Sequence, residues 1–173
     1  EGIKNLIRQL QPREFEDIVA TIALFRPGPM ENIPEYLKRK KNPQYIDYIH
    51  PSLKPILEHT YGIMIYQEQI MQVSQKMAGF SLAKADNLRK AISKKHRNEI
   101  RQLETEFIEG SVKQGYKKEL AKHVYELIMK FANYGFNRSH SVAYALVAYQ
   151  LAYLKANYPL YFFCSLLNSV IGS

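Results

Sequence analysis

A chain of 173 residues with 46% hydrophobic residues is long enough to bury a core and too apolar to be disordered. Its 24 Lys+Arg against 16 Asp+Glu give +8 and a pI near 9.4, which favours polyanionic partners such as nucleic acid or nucleotides. A single cysteine, Cys164, excludes an internal disulfide, and the five histidines lack cysteine partners at zinc spacings. With no targeting motif and no basic amphipathic surface helix, a cytoplasmic location without membrane binding is expected.

Apolar positions at helical spacing predict helices over residues 3–10 and 12–25, the second with Pro12 in its first turn and acidic residues near its amino end. It should stop at Arg26-Pro27-Gly28-Pro29, because a residue before proline is pushed out of the α region. Arg26 is held on that elbow, where the ordinary role of its guanidinium is to bond the last carbonyls of its own helix. Met30 to Lys41 predicts a short helix ending in Lys38-Arg39-Lys40-Lys41, a run that is either solvated or follows a nucleic-acid backbone, so that Lys40→Glu should cost little. Residues 44–65 read as short helical turns and loops, with at most a minor strand near residues 61–65. Tyr66-Gln67-Glu68-Gln69 opens a helix reaching Ala78, with Gly79 as its stop.

Ser81 should cap the next helix, which carries Asp86, Arg89 and Lys90 and leads into Lys94, Lys95, His96 and Arg97. Between Arg89 and Arg101 six basic residues face one acid, Glu99. Either Asp86 pairs with Lys90 one turn on and the rest is solvated, or a phosphate relieves the repulsion. Helices over residues 98–114 and 117–133 show scaffold patterning. The stretch from Ser141 to Leu154 has no charge, and its helix, apolar nearly all round, is expected at the centre of a core. Before it lie Asn137, Arg138, Ser139 and His140, either an ordinary N-cap or a site for an anion. A last apolar helix runs from Tyr158 to about Ser169.

The expected fold class is therefore mainly α, a compact multi-helix lobe with short loops. Two-metal chemistry needs clustered carboxylates, yet Asp17, Asp47 and Asp86 are dispersed and no phosphate-binding glycine loop or nucleophile motif is present. The residues alone describe a basic helical lobe that grips a phosphate-bearing ligand and leaves the chemistry to another part.

Four motifs in order, ALFRPGPM from Ala23, YGIMIYQEQIM from Tyr61, AGFSLAKADNLRKAISKK from Ala78 and FANYGFNRSHSVAYALVAYQLAYLK from Phe131, resemble the fingers of bacterial replicative DNA polymerase III alpha subunits. The resemblance spans nearly the whole chain and implies one helical fingers domain over residues 1–173, cut from a larger subunit. It implies that the lobe binds incoming dNTP, helps hold primer-template DNA, and works with the remainder of the subunit and replisome proteins. Mg2+ would be bound by a palm outside these residues, leaving no catalytic or metal-binding residue within them and the isolated fragment inactive. By resemblance, Arg89 and Lys90 contact the triphosphate, and Asn137, Arg138, Ser139, His140 and Tyr144 face the nucleotide pocket. Arg26, Gln67, Lys94 and Lys95 are candidates for further contacts, although for Arg26 and Gln67 the resemblance marks the motif without a role and structural bracing is the alternative. Many relatives carry arginine where this chain has Lys90, which keeps the charge and loses the bidentate fork. The competing reading is a non-catalytic basic helical module that binds nucleic acid or docks a protein.

Overall fold

The helical periodicity and its punctuation carry over closely into the computed structural model, which describes residues 2–132 and 134–171. Among these, ten α-helices follow in order: α1 (Gly2–Leu10), α2 (Phe15–Leu24), α3 (Ile33–Lys41), α4 (Lys54–Leu57), α5 (Gln67–Ala78), α6 (Leu82–Ser93), α7 (Arg97–Lys113), α8 (Lys118–Ala132), α9 (Arg138–Asn157) and α10 (Pro159–Val170). Glu14 rather than Pro12 is the residue before α2, its N–H bonded to Asp17 Oδ2 at 3.1 Å. Gly79 ends α5 in the left-handed region, and the Ser81 hydroxyl accepts the Lys84 N–H to open α6. No strand pairs into a sheet among the described residues. Near the minor strand expected at residues 61–65 there is one isolated parallel bridge, between Tyr66 and Phe136.

The interior has two apolar clusters, and the segment Ile63–Tyr66 runs between them. Met64 points into the first, which α5 to α8 build around Ile70, Met77, Leu88, Phe107 and Ile128. Ile63 and Ile65 point into the second, which α1, α2 and α3 build around Leu6, Val19, Leu24 and Tyr36. Alternate residues thus serve opposite sides, as in a strand. The apolar run Ile63-Met64-Ile65 is continuous because both of its sides are buried. α7 comes close to the carboxyl end of α5 at Gly110, where a Cβ would stand 2.3 Å from the Ala78 carbonyl oxygen.

The expectation that Ser141–Leu154 lies at the centre of a core is overturned. In α9 only Ser141 and Ala145 are buried, Ala145 against the α1–α3 cluster, while Leu146, Val147 and Leu151 are 48%, 53% and 49% exposed. α2 covers one side of α9, with Phe15 and Tyr149 meeting edge to face, and α10 packs along its end with its own apolar residues largely exposed. A helix apolar all round needs neighbours on every side, and within these residues α9 has them on one face only. No described helix is long and apolar enough to cross a membrane.

The basic run of α3 also differs from a solvated stretch. Arg39 bonds Glu35 Oε1 at 2.8 Å and the main-chain carbonyls of Asp47 and Tyr61 at 3.1 Å each, so it staples α3 to the loop that follows. Lys40 pairs with Asp17, which is buried. Burial pushes the Asp17 carboxyl up, but the bond from Lys40 and the main-chain bonds from Arg13 and Glu14 outweigh it and hold it below the usual aspartate range.

Candidate functional site

Adjacent residues on a helix diverge by about 100°, so Arg89 and Lys90 would ordinarily point apart. Here both bend toward Asp86. Arg89 donates from Nε at 2.9 Å and from Nη2 at 2.7 Å to Asp86 Oδ1, while Lys90 Nζ lies 2.6 Å from Oδ2. The two cations therefore share one carboxylate, and the hydrogen bonds from Lys90 and Arg89 hold that carboxyl below its usual range. Arg89 is the more enclosed, its side chain 24% exposed against 54% for Lys90. Of the two alternatives for this stretch, the Asp86–Lys90 pair is present and Arg89 joins it. Lys94 and Lys95 are exposed at the turn after α6, with Lys95 in the left-handed region.

Gln67 connects this pair to α9. Its side-chain oxygen lies 3.4 Å from Arg89 Nη1, and its N–H donates to the Phe136 carbonyl at 3.0 Å. Phe136 answers with its own N–H to Ile65 O at 3.0 Å, which fixes the approach to α9 against the amino end of α5. Gln69 is structural: its Oε1 accepts the N–H groups of Ile65 and Tyr66, and its amide donates to Thr60 and to the Ile56 carbonyl.

At the amino end of α9 the Asn137 side chain accepts the His140 N–H at 2.8 Å, so Asn137 rather than Ser139 is the cap. Glu68 accepts the Arg138 N–H at 3.1 Å on both carboxylate oxygens, and the Arg138 guanidinium reaches Glu16 at 2.5 Å. Two of the first amide donors of this helix are thus taken by the chain itself. Ser139 and Arg138 line a cleft of about 380 Å³ with Tyr66, Glu68, Gln72 and His59.

The side chains of this region stack in series. Arg26 sits 4.1 Å from the Phe136 ring centre, Phe136 meets His140 edge to face at 5.2 Å, and His140 lies 4.5 Å from the exposed Tyr144 ring. Arg26 is also a brace: Nε bonds Ala23 O at 3.1 Å, the helix-end bond expected of it, and Nη2 bonds Tyr134 O at 2.6 Å. Gly28, at φ +96°, lets the elbow press on Tyr134, since a Cβ there would stand 2.3 Å from the ring. Phe136, Glu16 and Glu68 as partners of this site escaped sequence reasoning. Only Glu68, within the polar Gln67–Gln69 cluster, gave a signal.

The described residues offer no donor set for a metal ion, since no three His, Cys, Asp or Glu side chains come together. Each aspartate has a partner within the chain: Asp17 has Lys40, Asp47 caps the Ile49 N–H, and Asp86 has the cation pair.

The fold is a helical lobe in which a gathered cation pair lies beside Gln67, whose main chain is bonded to the approach to α9. Residues 1–115 match the bacterial DNA polymerase III alpha subunit finger domain, and the chain belongs to that family. It is 57% identical over 169 residues to the DNA polymerase III subunit alpha of Halalkalibacterium halodurans, covering 98% of this chain and 15% of the relative. It is also 54% identical over 172 residues to that of Bacillus subtilis, covering 99% and 15%, and 48% identical over 173 residues to that of Staphylococcus aureus, covering 100% and 16%. The chain thus spans about one sixth of the length of these relatives. The matched finger domain includes Arg26, Gln67, Arg89 and Lys90 and ends before α8.

Proposed function

We propose that this chain is the nucleotide-binding lobe of a replicative DNA-directed DNA polymerase subunit, working in the bacterial cytoplasm with the rest of that subunit and with replisome proteins. It receives the triphosphate of the incoming dNTP and helps hold primer-template DNA. The observation that carries this reading is the match to the alpha-subunit finger domain over residues that include Arg89 and Lys90, which stand side by side at Asp86 next to Gln67. The role of the lobe is electrostatic and positional. Arg89 and Lys90 neutralise charge on the phosphates, and orienting the triphosphate for in-line attack lowers the barrier because that charge is shared out in the transition state.

On the α9 side, His140 and Tyr144 offer two neighbouring rings, and Arg138 and Ser139 border the cleft. A phosphate drawn to the amino end of α9 would exchange with Glu68, so side chains carry more of the contact than the helix dipole. Exposed Lys94 and Lys95 suit a nucleic-acid backbone. Polymerisation needs clustered carboxylates to hold Mg2+, and these belong to a palm outside the 173 residues. The isolated chain therefore binds nucleotide weakly and incorporates none.

Arg89→Ala, in a full-length alpha subunit carrying this sequence, tests the reading. The loss of a charge-assisted phosphate bond that strengthens in the transition state should raise the nucleotide KM and lower kcat, with kcat/KM down on the order of 10²-fold and an unchanged melting temperature. Wild-type kinetics would overturn it. If the isolated chain bound DNA with steep salt dependence and the mutant subunit kept its nucleotide response, a non-catalytic nucleic-acid module would replace it.

A further inference from the structure

We infer that Asp86 is a positioning residue whose carboxylate gathers Arg89 and Lys90 into one phosphate-directed cation pair, an inference that rests on the fingers reading above. The three residues lie on one helical face: Asp86 precedes Arg89 by three residues and Lys90 by four. Without it, consecutive side chains separate by about 100° around the helix and their like charges push them further apart. With it, Oδ1 holds the guanidinium and Oδ2 the ammonium, so both charges sit around a single carboxylate group.

The way Arg89 is held bears on what it has left to offer. Nε and Nη2, the donors of one edge of the guanidinium, both point to the same oxygen, and one donor on Nη1 turns toward Gln67. Three of five N–H donors are used, which leaves one on each terminal nitrogen for a ligand. The group is oriented by its two bonds to Asp86, with a longer contact of 3.4 Å from Nη1 to the side chain of Gln67 on the other side. A guanidinium oriented in this way gives up less rotamer freedom when phosphate arrives. Asp86 does not touch the ligand and acts through its two neighbours.

The test uses steady-state nucleotide incorporation by the full-length alpha subunit carrying this sequence, comparing Asp86→Ala, Asp86→Glu, Arg89→Ala and the double variant Asp86→Ala/Arg89→Ala. Asp86→Ala should raise the nucleotide KM roughly tenfold with a smaller change in kcat, because scattered cations weaken phosphate capture first. Asp86→Glu, which keeps a carboxylate at the same helical spacing, should recover the KM to within about threefold. In the Arg89→Ala background, Asp86→Ala should add clearly less than tenfold, since only its hold on Lys90 is left. A melting temperature unchanged in every variant separates positioning from folding.

A KM that stays at wild type or falls in Asp86→Ala would overturn the inference, the fall meaning that the carboxylate competes with phosphate. An undiminished tenfold effect in the Arg89→Ala background would overturn it as well. If instead Arg89→Ala alone behaves as wild type, it is the fingers reading that fails.

Discussion

Lys40→Met should cost roughly 2–3 kcal/mol and Lys40→Glu about 3–5 kcal/mol, although Lys40 stands in a run of four basic residues that the sequence presents as solvated. The Lys40 side chain is 15% exposed and its partner Asp17 only 4%, so removing the ammonium strands a carboxylate that water hardly reaches. Losing one partner of a buried pair typically costs about 3–5 kcal/mol. Asp17 would keep the Arg13 N–H at 2.8 Å and the Glu14 N–H at 3.1 Å, which brings Lys40→Met below that range, while a second carboxylate in Lys40→Glu restores the full penalty and adds repulsion.

Urea melts at pH 7 give the two differences directly. For a chain of this size about 1 kcal/mol shifts the melting temperature by roughly 2–4 °C, so Lys40→Met should melt about 4–12 °C lower. Asp17 has a depressed carboxyl in the fold, so its contribution is present above the unfolded aspartate value near 4 and is lost as pH falls through the lower folded value. The gap between wild type and Lys40→Met should therefore narrow as the pH is taken from 5 toward 2. A Lys40→Glu variant within about 0.5 kcal/mol of wild type at pH 7 would refute the pairing, since that is the range of ordinary surface substitutions.

The uncovered outer face of α9 reverses the expected cost of changes along it. Leu146→Asp and Ala143→Arg, both at exposed positions, should shift urea melts by less than about 1 kcal/mol, whereas Ala145→Arg forces a charge against the α1–α3 cluster and should cost several kcal/mol, on the order of an unpaired buried charge. Gly110→Ala improves helix propensity by about 1 kcal/mol, yet its methyl would meet the Ala78 carbonyl at 2.3 Å; overpacking at about 1–3 kcal/mol or more should win, and a variant more stable than wild type would show that α5 and α7 can separate. Asn137→Ala should lower stability by about 0.5–2 kcal/mol through the lost cap on His140, read by thermal melts, and Asn137→Ser should recover most of it.

Local chemistry alone determined much of this protein. The 3.6-residue periodicity, Ser81 as a cap, a cap at Asn137 or Ser139, and Gly79 and the Arg26–Pro29 elbow as stops place the helices to within a few residues, because these are interactions a chain makes with itself over one turn. The pairing of Asp86 with Lys90 is of the same kind, and the motifs from Ala23, Tyr61, Ala78 and Phe131 were enough to mark the family. Tertiary structure decided which charges are free and which faces are covered. Lys40 and Lys38 are alike in sequence, yet only Lys40 reaches Asp17, 23 residues away on another helix. Glu68 closes on the Arg138 N–H across 70 residues, and Gln67 ties Arg89 to Phe136, by contacts that no local spacing encodes. α9 shows the limit most plainly: an apolar sequence states that a helix needs neighbours, but only the packing of α2 along the side that buries Ala145 determines which of its faces receives them.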